Sequence, residues 1–165
     1  MGAMQPLAEL AGFFAAHGVW CVSDGGPLVP MLAFERPDGS RQMIRLAAAQ
    51  LEDGVAHGRD WLAQNPEGAT RAVLVVDGYV TLESGKTDAL IVEGVRYVPS
   101  RASMTMAVPY RSVEAPGGFA VFRPKFMEVE GFEPDFSQLG EAFFVGVDGH
   151  EKGADVWNRH IDQSL

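Results

Sequence analysis

The chain has 165 residues and lacks the features that identify several large protein classes. Its one cysteine, Cys21, excludes an internal disulfide framework and a zinc site built from several cysteines. No apolar run reaches the roughly 18 residues that are needed to span a bilayer. No segment led by Lys or Arg precedes a small-residue cleavage site, so we expect a cytoplasmic protein. Abundant Ala, Gly and Val, with Arg as the main base, suggest a bacterial protein from a GC-rich genome.

Basic residues are also scarce. Lys and Arg total 13 against 22 Asp and Glu, which gives a net charge of −9. Residues 130–165 carry eight of the acids and only two of the bases. An acidic chain repels phosphate, so we expect neither nucleic acid nor an anionic membrane as a partner. The acidity either keeps the protein soluble or forms a C-terminal surface that docks a basic partner.

Motifs that carry known chemistry are missing as well. There is no G-x-x-x-x-G-K-[ST] loop and no G-x-S-x-G turn, which disfavours an NTPase and a hydrolase with a nucleophile elbow. Residue types that bind metals occur near the C-terminus, but without the His-Glu-x-x-His spacing: His150, Glu151, Asp155, His160 and Asp162. We therefore expect no metal and no cofactor.

The first third of the sequence predicts a helix, a hairpin and a second helix. Pro6 opens a helical pattern that His17 and Gly18 are expected to end. Strands over 28–35 and 42–46 flank a turn at Arg36-Pro37-Asp38-Gly39. The second helix spans 47–64, and Gly54 and Gly58 within it predict close packing against a neighbour.

The middle of the chain predicts four antiparallel strands. They span 71–82, 87–97, 101–111 and 119–127, and Pro124 is expected either to end the pairing of the last strand or to place it at an edge. Met104 and Met106 lie on one strand face, where they either fill the core or form an adaptable binding surface.

These elements predict a single α+β domain over residues 1–165. Its sheet is an antiparallel β-meander of four main strands plus an N-terminal hairpin, and two helices pack on one face. Residues 1–5 are interpreted as a cloning remnant. Residues 130–165 are interpreted as an acidic C-terminal extension that packs on the core, with a final helix over 154–161.

The hairpin register decides which side chains share a face. A two-residue loop at Ser84 and Gly85 would pair Glu83 with Lys86 as an ion pair and Tyr79 with Leu90. The apolar face that contains Val76 and Val80 is then the core. The other face is mixed, and its predicted interaction surface consists of Val73, Val75, Tyr79, Leu90 and Val92.

Two candidate catalytic arrangements have structural objections. On this register Asp77 and Asp88 lie four strand positions apart, or roughly 13 Å, which is too far for paired carboxylates. Cys21 follows His17 by four residues and precedes Asp24, but a helix break at Gly18 would separate the thiol from its base. We therefore interpret Cys21 as a small buried hydrophobe.

Two functions remain open. We expect a noncatalytic binding or adaptor protein, of chaperone-like or immunity-type character, that binds another protein or forms a homodimer through sheet faces or edges. The alternative is a small hydrolase or lyase with a carboxylate site near the 83–88 turn, built from Asp77, Tyr79, Lys86 and Asp88. A concave pocket with perturbed carboxylates would favour the enzyme, and a flat apolar patch the adaptor.

Overall fold

The computed structural model describes residues 3–165, which form four helices and seven strands. In chain order these are α1 (Gln5–Val22), β1 (Met31–Glu35), β2 (Arg41–Arg45), α2 (Leu51–Gln64), β3 (Arg71–Leu82), β4 (Gly85–Arg96), β5 (Ala102–Arg111), β6 (Ala120–Val121), β7 (Lys125–Glu130), α3 (Phe136–Gly149) and α4 (Glu151–His160). Within 3–165 no helix combines the length and the apolar character needed to cross a membrane.

All seven strands belong to one open sheet with antiparallel pairing. The order is β2-β1-β3-β4-β5-β6, and β7 also pairs with β5. The N-terminal hairpin joins the meander because β1 pairs with β3, with Leu32 opposite Leu74. The predicted α+β class and the antiparallel sheet are confirmed.

Pro124 divides the predicted fourth strand in two. β6 pairs with Tyr110 and Arg111, while β7 pairs with the earlier part of β5 from Ser103 to Ala107. Proline lacks the N–H that a ladder requires, so pairing stops before it and resumes after it.

The expectation that both helices pack on one face is wrong. α2 covers the face that carries Leu74 and Val76, whereas α1 covers the opposite face, with Val75, Leu90 and Val92. The first half of β3 is apolar at consecutive positions, so both of its faces must be removed from water. One helix on each face achieves this, with α1 on the side of the larger core.

α1 is a central helix between the sheet and the C-terminal helices. It contacts β3 and β4 on one side and α3 and α4 on the other. Its backbone approaches α3 closely, since a Cβ added to Gly12 would overlap the carbonyl oxygen of Phe143. The helix also continues through Gly18 to Val22, which corrects the predicted end. Gly18 is a packing position, where an added Cβ would lie 3.0 Å from Leu90 Cδ1.

The C-terminal segment folds as two helices where the sequence predicted one. Asp135 caps α3 by accepting a hydrogen bond from the backbone N–H of Gln138 at 3.1 Å. Leu139, Phe143 and Val147 then follow at helical spacing and are buried against α1. These signals are present in the sequence, so α3 was predictable from its cap and its period.

Candidate functional site

The β3–β4 hairpin turns one residue earlier than predicted. Leu82 pairs with Gly85, so the two turn residues are Glu83 and Ser84. Gly85 has φ +114° and serves as the first paired residue after the turn rather than as part of it. The shift preserves the division of side chains between the two faces, and Val76 and Val80 are buried as expected.

The corrected register changes which side chains are neighbours. Tyr79 lies opposite Asp88 and Asp77 lies opposite Leu90. Asp77 and Asp88 are therefore diagonal neighbours on one face, where Cα atoms lie about 7–8 Å apart. The predicted separation of four strand positions is wrong, and the distance objection to this carboxylate pair is removed.

Strand β5 brings a tyrosine to the two carboxylates. The β4–β5 ladder ends with Ala89 opposite Pro109, which places Tyr110 beside Asp88. The Tyr110 hydroxyl donates a hydrogen bond of 2.7 Å to Asp77 Oδ1, and Tyr110 is only 6% exposed. We call Asp77, Tyr79, Asp88 and Tyr110 the hairpin-tip cluster. Tyr110 was missed because a partner on a third strand leaves no local signal.

Burial and charge shift the ionisation of this cluster. Burial raises the pKa of Tyr110 far above its usual range, and the hydrogen bond to Asp77 raises it further. Burial also raises the pKa of Asp77, the Tyr110 hydrogen bond lowers it, and the charge of Asp88 raises it again. Asp77 is nonetheless exposed as a residue, so water still reaches its carboxylate. Tyr110 therefore stays protonated and donates its hydrogen bond to Asp77. A cationic neighbour would stabilise the ionised form of Asp77.

Lys86 has a different partner from the one predicted. It lies opposite Thr81 rather than Glu83, and its Nζ is 4.0 Å from the centre of the Tyr79 ring. The predicted Glu83–Lys86 ion pair is therefore replaced by a cation–π contact. Tyr79 remains 62% exposed despite this contact.

Most of the predicted interaction surface lies in the core. Val73, Val75, Leu90 and Val92 are buried, and Tyr79 alone is exposed. The cause is α1, which covers this face along the first half of the hairpin. These four side chains are therefore not exposed on the surface of the chain. Met104 and Met106 are buried in the same core.

A shallow groove of about 260 Å³ adjoins the cluster. Its polar lining comes from β4 and β5 and includes Lys86, Asp88, Tyr110 and Arg111. Arg111 is held by the loop that follows β5, since its Nε donates to the Gly118 carbonyl at 2.7 Å. The groove thus presents charges of both signs beside the exposed ring of Tyr79.

A second cavity lies elsewhere, and none of the predicted site residues lines it. It measures about 350 Å³ and lies between the first turns of α1 and α3, with Arg96, Ser100, Gln5 and Gln138 in its lining. Arg96 is buried and donates to the Ser100 carbonyl from Nε and Nη2. Glu133 also lines this cavity.

The two members of the cysteine–histidine pair have different surroundings in the structure. Since α1 is unbroken, His17 and Cys21 do lie one turn apart, but His17 Nδ1 contacts His150 Nε2 at 2.9 Å. Asp24 accepts a hydrogen bond from the Gly26 backbone. Burial raises the pKa of Cys21, the charge of Arg45 lowers it and that of Asp24 raises it, which on balance disfavours the nucleophilic thiolate.

The C-terminal residues of metal-binding type have separate roles. His150 caps α4, Asp155 pairs with Arg159 at 2.9 Å, and Asp162 accepts from the Ser164 backbone. His160 contacts the ring of Phe119. Across residues 3–165, no three His, Cys, Asp or Glu side chains are grouped so that they could hold a metal ion.

Comparisons with known proteins add no relative. No family model, curated protein or solved structure matches the chain.

Proposed function

We propose that the chain is a noncatalytic binding protein and that the hairpin-tip cluster receives basic side chains of a partner protein. The observation that carries this proposal is the corrected register, which places Asp77 and Asp88 as diagonal neighbours beside an exposed Tyr79. Carboxylates next to an exposed aromatic ring suit a guanidinium, which can donate bidentate hydrogen bonds to a carboxylate and stack on the ring.

The electrostatics support a cationic partner group. The negative charge of Asp88 makes ionisation of the Asp77 carboxylate less favourable, and a bound cation offsets this repulsion. The net charge of −9 adds long-range attraction for a basic partner. Tyrosine is also among the residues enriched at protein interfaces, and the Tyr79 ring is available on the surface.

A titration with defined peptides tests the proposal. We expect a capped tri-arginine peptide to shift the amide resonances of residues 77–88 and 110, and a tri-glutamate peptide to leave them unchanged. Asp88→Asn should weaken binding by about tenfold, the loss expected for one charged hydrogen bond. Asp53→Asn on α2 removes the same charge at a distance and serves as the matched control. If the peptide instead shifts the amide resonances of residues 130–165, and Asp88→Asn does not change those shifts, this site is rejected.

A hydrolase or lyase at the same cluster is the second candidate. The observation that favours it is a carboxyl of raised pKa, hydrogen-bonded to a tyrosine and adjacent to a second carboxylate. We expect such an enzyme to cleave members of a panel of nitrophenyl glycosides and esters, with losses of at least about 100-fold in Asp77→Asn. Cleavage that survives both Asp77→Asn and Asp88→Asn would place the activity outside this cluster.

A further inference from the structure

His17 of α1 contacts His150, the residue that caps α4, at a place away from the hairpin-tip cluster. His17 Nδ1 and His150 Nε2 are 2.9 Å apart, and both rings are partly buried. Aromatic rings surround them, with the His150 ring centre 5.0 Å from that of Phe13 and 6.0 Å from that of Trp20. Polar groups placed this way require a defined hydrogen-bond pattern.

The first turn of α4 fixes the positions of the protons. The Gly153 backbone N–H donates to His150 Nδ1 at 2.9 Å, so this nitrogen carries no proton. The proton of a neutral His150 ring therefore lies on Nε2, from which it donates to His17 Nδ1. One chain of hydrogen bonds thus runs from the α4 backbone through His150 to α1, and it requires both rings to be neutral.

A further proton on either ring would break one of these hydrogen bonds. Protonation of His150 Nδ1 would oppose the Gly153 N–H and remove the cap of α4. Protonation of His17 Nδ1 would oppose the N–H of His150 Nε2 and break the link between the helices. Either event loses one of the two hydrogen bonds.

The charged surroundings oppose protonation as well. Arg45 of β2 and Lys152 of α4 act on the pair, and Arg41 of β2 lies 5.5 Å from the Phe13 ring. Asp24, after α1, acts on Cys21, and Glu151 lies in the first turn of α4. Burial lowers the pKa of His17, and the charges of His150 and Arg45 lower it further. Burial also lowers the pKa of His150, an interaction with its own backbone raises it, and the charge of Lys152 lowers it.

The packing of α4 leaves one polar group unsatisfied. Trp157 is buried against Phe143, and its Nε1 has no hydrogen-bond partner within the described part of the chain. A buried donor without an acceptor opposes docking and favours release.

We propose that His17 and His150 form a proton-operated latch, in which the neutral pair holds α4 on α1 and proton uptake releases the first turns of α4. Binding of a divalent metal ion is the alternative function for two ring nitrogens that face each other. It would require an unprotonated His150 Nε2 and hence a proton on Nδ1, where the Gly153 N–H already points. The geometry therefore favours a proton over a metal ion.

Amide exchange and ring titration in the full chain test the latch. Between pH 7.5 and 5.5 we expect the protection factors of the Gly153 and Ala154 amides to fall by about threefold to tenfold, as one-proton linkage requires. Amides of α2 should stay constant. The rings of His17 and His150 should titrate below the ordinary histidine pKa of 6.5, because burial disfavours their charged forms. His57 is exposed on α2 and lies outside the pair.

Two variants complete the experiment. His150→Asn keeps a capping side chain but cannot titrate, so protection of α4 should become independent of pH in this range. His57→Asn is the matched control and should keep the behaviour of the parent protein. The latch is overturned if His150→Asn retains the fall in protection, or if neither ring titrates below the ordinary histidine pKa of 6.5. It is also overturned if zinc chloride alone, at pH 7.5, shifts both rings and removes the Gly153 cap. Should His150→Asn not fold, the ring titration of the parent protein decides.

Discussion

The two ends of the β3–β4 hairpin share one ladder but differ in what covers them. At the base, which comprises residues 71–76 and 90–96, α1 covers one face and α2 the other. The tip, residues 77–88, extends beyond the main core, and a small cluster with Val80 and Ala89 covers its apolar face. On β3 the apolar run over residues 72–76 marks the base, and Asp77, the charge that ends this run, marks where the face toward α1 becomes exposed.

The largest difference between base and tip is expected from truncating one side chain at each. Leu90→Ala removes a fully buried side chain beneath Gly18 and should destabilise the protein by about 3–4 kcal/mol. Tyr79→Ala on the same face should cost no more than about 1 kcal/mol, mainly the contact with Lys86. Urea unfolding of both variants measures this difference, and equal losses would contradict the distinction.

The support of the base by α1 and α3 depends on close helix contact. A Cβ on Gly146 would overlap the Glu9 carbonyl oxygen, so Gly146→Ala should cost about 2–3 kcal/mol. Gly140 in the same helix has no neighbour within 4 Å of an added Cβ, and Gly140→Ala should gain about 0.5–1 kcal/mol from helix propensity. Thermal unfolding should show shifts of opposite sign, and a stable Gly146→Ala would mean that the helices lie further apart.

The buried carboxylate of Glu35 on β1 forms ion pairs with β2 and β3 at the base. Glu35 accepts from Arg41 on β2 and from Arg71 on β3, each at 2.6 Å. Burial alone would raise the pKa of Glu35, but the two arginines outweigh it and hold the pKa below its ordinary 4.5. Glu35→Gln should therefore cost about 2 kcal/mol at neutral pH.

The pH dependence of the Glu35→Gln effect has a definite sign. Since the folded pKa is lowered, the stabilisation is complete above about pH 4.5 and is lost as the pH falls through the folded value. Unfolding curves of the parent protein and the variant should converge at low pH. Glu67→Gln, which breaks an exposed pair of 3.5 Å with Arg36, should cost less than about 0.5 kcal/mol and serves as the control.

The smallest expected effect is at the tip and has the opposite sign. The pKa of Asp77 is raised, so its ionised form is less favourable in the folded chain than in the unfolded one. Asp77→Asn should stabilise the protein at pH 7 by a few tenths of a kcal/mol after solvent screening, with no gain below the ordinary pKa of 3.8. Asp53→Asn, which removes a favourable acid from the first turn of α2, should cost a similar amount.

Asp77→Asn should therefore have opposite effects on the stability of the protein and on its affinity for the arginine peptide. A variant that gains stability while it loses affinity for the arginine peptide would identify Asp77 as a residue kept for binding. A loss of stability in Asp77→Asn at pH 7 would show that the carboxylate is structural.

Local signals predicted individual elements well. The bounds of β3, Arg71–Leu82, agree with the prediction, and the turn at Gly39 forms with φ +86°. Gly54 and Gly58 do allow close contact, with the Leu46 carbonyl and with Leu74. Each of these depends on residues within a few positions or on one buried face, which sequence patterns record.

Contacts between distant segments were not predictable in the same way. A turn displaced by one residue moved Asp88 from Thr81 to Tyr79, since Glu83-Ser84 and Ser84-Gly85 differ little as turn sequences. The approach of Tyr110 and the pairing of His17 with His150 join residues 33 and 133 positions apart. α1 did carry a signal, because its almost uniformly apolar sequence is typical of a helix buried on all sides.

The sequence by itself determined the class of the fold and the division of hairpin side chains between two faces, because alternation along a strand is fixed by its geometry. The same alternation predicted Val73 and Val75 as part of an interaction surface, and the structure buries them under α1. Only the tertiary structure decided which helix covers each face, which carboxylate adjoins which tyrosine, and that two histidines join α1 to α4. These depend on register and packing between distant segments, where alternatives of similar local energy are separated only by the assembled core.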